Sequence, residues 1–415
     1  MSPLPPTDES IPVQQSIVDL KKARKHRKVL AHLYAQGTST LANLAHLLQN
    51  SIPSVTGLVD ELIQTDWIMP IGTAVGNNGR RPALFALNPN NHCVSIIDVS
   101  THDTKILLMD TQRNVVFRAD YNLPLADNEA FLSSLLTYFN KTLVESGISH
   151  ANLLAVGISI PGLIDSRLGS NRTYPHLNQT DGSLTKWFAE QVAKPVYAIN
   201  DTKAVVLGES RFGGAQGKQQ VLTINIDWGV GLGVVVNGDV LQGAGGYAGE
   251  LGHIQMDPQG DLCHCGKVGC LDTFASASAL VQRVQRAIRA GQVSKLAVFS
   301  DRVEQIDIDE LIQAAHHGDA YAIDILHEAG FHLGRGLAVA IHLFNPEIII
   351  IDGILTKAAD FILTTIEQAI SKYCLSDFRN DVTLELTRLN GTAKWLGTHA
   401  HVMETFLRTT QQTLG

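Results

Sequence analysis

Three of the five cysteines in this 415-residue chain fall within eight residues, and a histidine stands ten residues before the first of them. The four side chains are His253, Cys263, Cys265 and Cys270. Thiolate and imidazole are ligands that zinc prefers, and a closed tetrahedral site needs four of them. The spacing therefore predicts a zinc-binding loop. A disulfide is the alternative, but three cysteines would leave one thiol over and no secretory signal segment is evident.

The composition is that of an ordinary globular protein with two or three domains, since 45% of the residues are hydrophobic and 17% are charged. No apolar run is long enough to cross a membrane, so we expect a cytoplasmic protein with reduced thiols. The net charge of −8 argues against nucleic-acid binding by the whole molecule. Residues 1–90 differ, because they hold eight Lys and Arg against six Asp and Glu.

The first 90 residues contain signals for three helices. Six positive charges lie between Lys21 and Lys28, ahead of apolar residues at helical spacing, which predicts a first helix with a basic half able to meet phosphate. A second helix is expected over 41–48, after hydroxyl residues that can cap it. A third is expected from Ile52, with Pro53 in its first turn.

Two short helices joined by a tight polar turn predict a helix-turn-helix, whose second helix lies in the major groove. Strands at 67–69 and 83–87, with a tip rich in glycine and asparagine, predict a hairpin after it. The unit therefore resembles a winged helix-turn-helix, and a generic helical hairpin is the alternative. The side chains expected to contact DNA from the recognition helix and the wing are Ser51, Ser54, Val55, Thr56, Arg80 and Arg81.

Beyond a linker at 88–91, apolar segments predict an α/β region in two similar halves. Strands are expected at 94–98, 105–110, 114–118 and 153–160, and again at 221–226, 348–352 and 382–389, with helices at 129–146, 275–290 and 321–343. We divide the chain into a DNA-binding domain (1–90), a first α/β lobe (91–205) and a second lobe (206–415) that carries the zinc loop. The duplication predicts a cleft between the lobes, where substrates of such proteins usually bind.

Several motifs resemble those of the ROK family of repressors, open reading frames and sugar kinases. The most specific is Glu250-x-Gly-His253 followed by Cys263-x-Cys265-Gly-x-x-Gly-Cys270-x-Asp272. The others are Ser159-Ile-Pro-Gly162, Asn200-Asp201-Thr-Lys-Ala and Gly229-Val-Gly-Leu-Gly233. The resemblance covers about residues 90 to 400. It implies a two-lobed actin/hexokinase-like (ribonuclease H-like) ATPase fold with a sugar site beside the zinc.

The residues that match the sugar-binding positions of the family are Asn200, Asp201, Glu250, His253 and Asp272. Carboxylates and amides suit a sugar because they can pair with two hydroxyls at once. In the kinases of the family, the position of Asp201 is the general base. His253 is expected to bind zinc through one ring nitrogen and to face the sugar with the other; a core histidine is the alternative.

Other features keep the sugar assignment open. Asp272 is one methylene shorter than the usual glutamate, and His176 stands where the sugar kinases commonly have asparagine. An Asn-Asp pair can also cap a turn, and a carboxylate near zinc can support the ligands instead of the sugar.

The loops that would cradle phosphates depart from those of the kinases. After Asp98 come Ser100 to Asp103, with no glycine and an added carboxylate that would repel phosphate. Trp228 stands where the kinases have threonine, and 352–356 keeps one glycine of two. We therefore expect no kinase activity.

The sequence as a whole favours a sugar-responsive transcriptional regulator, a repressor, that binds operator DNA as a homodimer or homotetramer. Its signal would be a sugar or a sugar phosphate. An ATP-dependent sugar kinase is the alternative. A third reading is a regulator released from DNA by a sugar-transport protein.

Overall fold

The computed structural model describes residues 17–74 and 81–409. The chain divides into two units. The first contains Met1–His92, Asp110–Asn114 and Met403–Gly415, and the second contains Cys93–Met109 and Val115–Val402. The first boundary lies close to the expected residue 90. The later segments that group with the first unit were not expected from the sequence.

The first unit has three helices and a small sheet. Its elements are α1 (Ile17–Gln36), β1 (Ser39–Thr40), α2 (Leu41–Leu48), α3 (Ile52–Gln64), β2 (Ile68–Thr73) and β3 (Ala83–Leu87), and the strand order is β1-β3-β2. The hydroxyl of Thr40 caps α2 by accepting a hydrogen bond from the Asn43 amide at 3.2 Å. Gln49 ends α2 in the left-handed conformation. The helices expected at 41–48 and from Ile52 are therefore present, and α3 runs to Gln64.

Part of the basic segment of α1 serves packing. The ammonium of Lys22 lies 2.8 Å from a carboxylate oxygen of Glu61 on α3, and Lys25 donates to the side chain of Asn50 at 3.2 Å. Lys21 and Lys28 are exposed. In the basic half of α1, some side chains are thus engaged within the unit, while others are exposed and could contact phosphate.

The turn Asp110–Asn114 is held in the first unit by side-chain hydrogen bonds. Arg113 donates to the backbone oxygen of Tyr34 at 3.0 Å, and Gln112 donates to that of Leu87 at 2.8 Å. A short turn that follows the first strand pair of the next unit therefore completes this unit.

The second unit contains two five-stranded sheets. Its strands are β4 (Cys93–Val99), β5 (Thr104–Asp110), β6 (Val115–Tyr121), β7 (Leu153–Ile160), β8 (Ile164–Asp165), β9 (Ser170–Asn171), β10 (Val196–Asn200), β11 (Gln220–Ile226), β12 (Val230–Val236), β13 (Asp239–Val240), β14 (Ile348–Asp352) and β15 (Thr383–Leu386). The first sheet has the order β10-β7-β4-β5-β6 and the second β15-β14-β11-β12-β13, while β8 pairs with β9. The two orders match strand by strand, so the second unit is a mixed α/β fold with two equivalent lobes.

The helices of this unit are α4 (Glu129–Ser146), α5 (Leu184–Val192), α6 (Asp201–Phe212), α7 (Asp272–Ala275), α8 (Ala277–Arg289), α9 (Ile308–His316), α10 (Ala320–Phe344), α11 (Ala359–Tyr373), α12 (Ser376–Asp381) and the first part of α13 (Ala393–Thr409). From Met403 onward, α13 belongs to the first unit. The helix expected at 275–290 is interrupted at Ser276, whose side chain caps α8. The closing strand is shorter than expected. Across the part of the chain that the structure describes, no helix has the length and apolar content to cross a bilayer.

Candidate functional site

Four metal-ligating side chains converge in the segment between β13 and α7. The ligand atoms of His253, Cys263, Cys265 and Cys270 all lie within 4.8 Å of one another. Cys265 Sγ is 3.7 Å from Cys270 Sγ, and Cys263 Sγ is 3.7 Å from His253 Nδ1. Zn–S bonds of about 2.3 Å at a tetrahedral angle would separate two sulfurs by about 3.8 Å, whereas a disulfide requires about 2.05 Å. This donor set could bind a metal ion.

The loop that carries the ligands folds tightly because two glycines allow it. Gly266 has φ +83° and its amide donates to the Cys263 carbonyl at 2.9 Å. Gly269 has φ +70°, and a Cβ there would lie 1.5 Å from the Asp257 carbonyl oxygen. Any larger side chain at 269 would clash with the backbone of Asp257 and so disturb the loop next to the ligand Cys270.

A second group of possible ligands overlaps the first. His264 Nδ1 lies 3.7 Å from Cys263 Sγ and 3.6 Å from Asp272 Oδ2. The His264 side chain is 69% exposed, however, whereas Cys263 and Cys270 are buried. The set of three cysteines with His253 also has the softer donors, so it is the better metal site of the two.

Asn200 and Asp201 lie where β10 ends and α6 begins. The Asn200 side chain caps α6, because it accepts from the Lys203 amide at 3.1 Å, and it donates to the Gly162 carbonyl at 3.0 Å. The capping role considered from the sequence is therefore present, and one amide N–H of Asn200 remains for a ligand. Asp201 Oδ1 accepts from the amide of Thr202 at 2.8 Å.

The carboxyl groups of Asp201 and Glu250 both have raised pKa values. Burial raises the pKa of both, and Asp201 raises that of Glu250 further while Lys203 lowers it. Glu250 keeps 48% of its side chain exposed, and its Oε2 lies 3.9 Å from His253 Nε2. The ring of His253 thus directs Nδ1 toward Cys263 and Nε2 toward Glu250. This orientation would let one nitrogen bind zinc while the other faces the sugar.

Asp272 and His176, both expected near the sugar, are held by partners within the protein. Asp272 is buried, with Oδ1 accepting from the Val230 amide at 2.8 Å and Oδ2 directed toward His264. His176 Nδ1 lies 2.7 Å from a carboxylate oxygen of Asp127, a residue that sequence reasoning did not single out. The geometry of Asp272 fits the supporting role considered from the sequence.

The turn between β4 and β5 and the turn between β11 and β12 meet through their side chains. The His102 ring stacks on Trp228, with ring centroids 3.7 Å apart and planes inclined by 22°. Asp103 accepts from the Ser100 hydroxyl at 2.6 Å and lies 2.7 Å from the Lys105 ammonium. The Asp103 charge is therefore balanced by Lys105, and the repulsion of phosphate by Asp103 stays a prediction.

Comparison with known proteins places the chain in a family. The model of the ROK family matches residues 94–404. The chain belongs to the ROK family. One relative is the N-acetylglucosamine repressor of Escherichia coli O6:H1, which is 28% identical over 373 residues, covering 90% of this chain and 91% of that protein.

Two solved structures of ROK proteins are also similar. A ROK family transcriptional regulator, a homolog of the E. coli MLC protein, is 31% identical with a TM-score of 0.78 and covers 94% of this chain and 97% of its own. The ROK hexokinase of Thermus thermophilus is 26% identical with a TM-score of 0.57 and covers 74% of this chain and 96% of its own. The match to the regulator thus covers about a fifth more of this chain than the match to the hexokinase does.

In contrast to a ROK hexokinase, we expect this protein to be neither stabilised by ATP with magnesium nor able to phosphorylate a sugar. The stack of His102 on Trp228 takes up space between the two turns. The first turn has no glycine, and the second carries the indole of Trp228 next to Gly229, so neither offers the open glycine backbone that wraps phosphates. The measurements are a melting curve with and without nucleotide and a coupled assay for ADP over a panel of sugars. Sugar-dependent ADP release that disappears in Asp201→Asn would contradict this expectation.

Proposed function

We propose that this protein is a transcriptional repressor that binds operator DNA through its first unit and a carbohydrate through its second, without phosphorylating the sugar. The observation that carries the proposal is the stack of His102 on Trp228, which lies in the two turns where the kinases of the family wrap phosphates. The carboxylates Asp201 and Glu250, of which the first raises the pKa of the second, are suited to sugar hydroxyls. The named relatives support it, since one is an N-acetylglucosamine repressor and another a transcriptional regulator. No observation favours the sugar-kinase alternative.

The DNA-binding part of the proposal is a winged helix-turn-helix made by α2, α3 and the β2–β3 hairpin. Ser51 and Ser54 are exposed at the start of α3, where a recognition helix contacts a major groove. Thr56 is half-buried and donates to the Ile52 carbonyl at 3.0 Å. Val55 is 1% exposed and packs inside the unit, so we place it in the core instead of against a base.

The wing is proposed to reach DNA through its two arginines. Arg81 is exposed just before β3, and Arg80 lies outside the described residues. Guanidinium groups at a hairpin tip suit phosphates and a narrow minor groove.

Replacing Arg80 and Arg81 with alanine should weaken operator binding at every sequence. The plot of log Kd against log salt should become shallower by about two units, because each lost phosphate contact removes about one. Fluorescence anisotropy with labelled DNA across a salt series measures both effects. The double variant Arg379→Ala with Arg388→Ala removes the same charge from the second unit and should leave the slope unchanged.

An unchanged slope in the wing variant would show that the wing does not contact DNA.

The operator is expected to be an inverted repeat, because a two-fold homodimer presents two recognition helices. Footprints of a single half-site would instead indicate a monomer on DNA. Arrangement as a homotetramer would add a second pair of helices without changing this symmetry.

The metal and the sugar complete the proposal. We assign zinc to His253, Cys263, Cys265 and Cys270, where it would fix the loop between β13 and α7 and hold the His253 ring beside Glu250. The sugar contacts are assigned to Asp201, Glu250 and His253, with Asn200 and Asp272 in support. The proposed zinc would be structural and not catalytic.

The sugar is proposed to be the signal that releases DNA. N-acetylglucosamine is the first ligand to test, followed by other hexoses, pentoses, amino sugars and their phosphates. If none of them changes the melting temperature or the operator affinity, the signal is of another kind, such as a sugar-transport protein.

A further inference from the structure

The first two turns of α3 contain none of the side chains that form bidentate hydrogen bonds with a base edge. Those side chains are arginine and lysine for guanine, and asparagine and glutamine for adenine. The helix begins Ile-Pro-Ser-Val-Thr-Gly-Leu-Val, and its first ionisable residue is Asp60, about 12 Å farther along the axis than Ile52. A helix that enters the major groove with its N-terminal residues must then distinguish bases by another kind of contact.

The side chains that the first turn exposes are small or apolar. Ile52 keeps 51% of its surface exposed, and Pro53 and Ser54 beside it are exposed as well. Ser51 precedes them as the N-cap, but its side chain makes no capping hydrogen bond. One turn farther, Gly57 is exposed, and a Cβ there would have no atom within 4 Å. The start of α3 is therefore a smooth surface that a base edge could approach closely.

The two residues between Ser54 and Gly57 are engaged within the unit. Val55 is 1% exposed, and the hydroxyl of Thr56 donates to the Ile52 carbonyl at 3.0 Å. The aliphatic side chain of Ile52 is thus the largest group that the first turn can present to a base.

A basic helix lies beside the start of α3. The ammonium of Lys25 on α1 donates to Asn50 Oδ1 at 3.2 Å, just before the first turn of α3. Lys21 and Lys28 on the same helix are exposed. Phosphates border the base edges in a groove, so cations beside an apolar first turn match DNA. The core of a protein–protein interface is instead depleted in charged residues.

We propose that Ile52 recognises thymine in the operator by packing against the C5 methyl group of that base. In the major groove this methyl distinguishes thymine from the other bases, and apolar side chains contact it. The hydroxyls of Ser51 and Ser54 can pair with any base edge, so they discriminate little. Phosphate contacts would then supply affinity, and thymine would supply the choice of sequence. The inference rests on the proposed binding of DNA by α3.

The test removes the methyl group from the DNA. Binding sites are first enriched from a randomised duplex library with the full-length protein, and single thymines of the enriched site are then replaced with deoxyuridine, which keeps every base-pairing group. The wild type should lose about fourfold in affinity for each contacted methyl, the factor expected for burial of one such group. Ile52→Ala should bind the thymine site more weakly and should no longer distinguish it from the deoxyuridine site. Fluorescence anisotropy measures both.

A salt series separates this base contact from a loss of charge. The slope of log Kd against log salt should be the same for Ile52→Ala and the wild type, because an apolar contact releases no counterions. Val144→Ala is the matched control, since it shortens an aliphatic side chain that is 81% exposed on α4. It should keep the affinity of the wild type and its sensitivity to deoxyuridine.

The possible failures are distinguishable. A library from which no site is enriched would overturn the proposed DNA binding, and this inference with it. An enriched site that the wild type binds equally well with thymine and with deoxyuridine would overturn the inference alone. An Ile52→Ala protein that keeps the full sensitivity to deoxyuridine would do the same. So would one that loses its oligomeric state, because Ile52 would then contact a second copy of the chain.

Discussion

Cys265→Ser is expected to empty the metal site and to lower the melting temperature on the order of 10 °C. We expect no larger loss of stability from the substitution of any other single exposed side chain. Cys265 is exposed, so its own packing contributes little, and the loss would come from the ligand. With three donors left, the loop between β13 and α7 should lose order. Limited proteolysis should then cut within it.

Elemental analysis of the wild type should give about one zinc per chain, and the Cys265→Ser protein should give almost none. Cys374→Ser is the matched control, because Cys374 is a free cysteine far from the loop in sequence and outside the ligand group. It should keep both its zinc and its melting temperature. A wild type that contains no zinc, and whose melting temperature is the same with and without a chelator, would rule out the metal assignment.

Asp201→Asn is expected to weaken sugar binding by about 100-fold, since charge-assisted hydrogen bonds to a carboxylate contribute roughly 1.5–3 kcal/mol each. The substitution keeps the shape and the cap at the start of α6. Sugar affinity in the wild type should also fall as the pH drops through the raised pKa of Asp201, because the protonated form loses an acceptor. Calorimetric titration with the best sugar of the panel measures both effects.

Operator release supplies the second readout. A sugar that lowers the operator affinity of the wild type should have no such effect on Asp201→Asn at the same concentration. Asp309→Asn makes the same chemical change on the exposed surface and should behave like the wild type. If Asp201→Asn binds the sugar as tightly as the wild type does, the sugar site lies elsewhere.

Local signals were sufficient for much of the fold. Helix α2 covers 41–48, as the hydroxyl residues before it and the apolar spacing predict. The repeated strand pattern predicts two similar halves, and the structure contains two sheets of matching strand order. The cysteine spacing predicts a ligand group that the structure brings within 4.8 Å. Each of these depends on residues close in sequence or on a motif of fixed spacing, which a single sequence displays directly.

Contacts between distant segments could not be predicted in this way. Trp395 and Asp98 are 297 positions apart, and nothing near either residue marks the other as its partner. The sequence predicts Trp228 as an obstacle to phosphate but does not predict its stacking partner His102, because the stack depends on how the two lobes meet. The position of Val55 also depends on packing: it lies next to exposed residues of α3 but faces the core.

The stack of His102 on Trp228 and the ion pair of Lys394 with Asp98 each join a residue of the first lobe to a residue of the second. Removing His102 alone would leave the Trp228 indole without its aromatic neighbour, and removing Lys394 alone would leave a buried carboxylate unpaired. Each substitution would therefore cost stability. The two contacts tie the first lobe to the second, and neither can be lost without that cost.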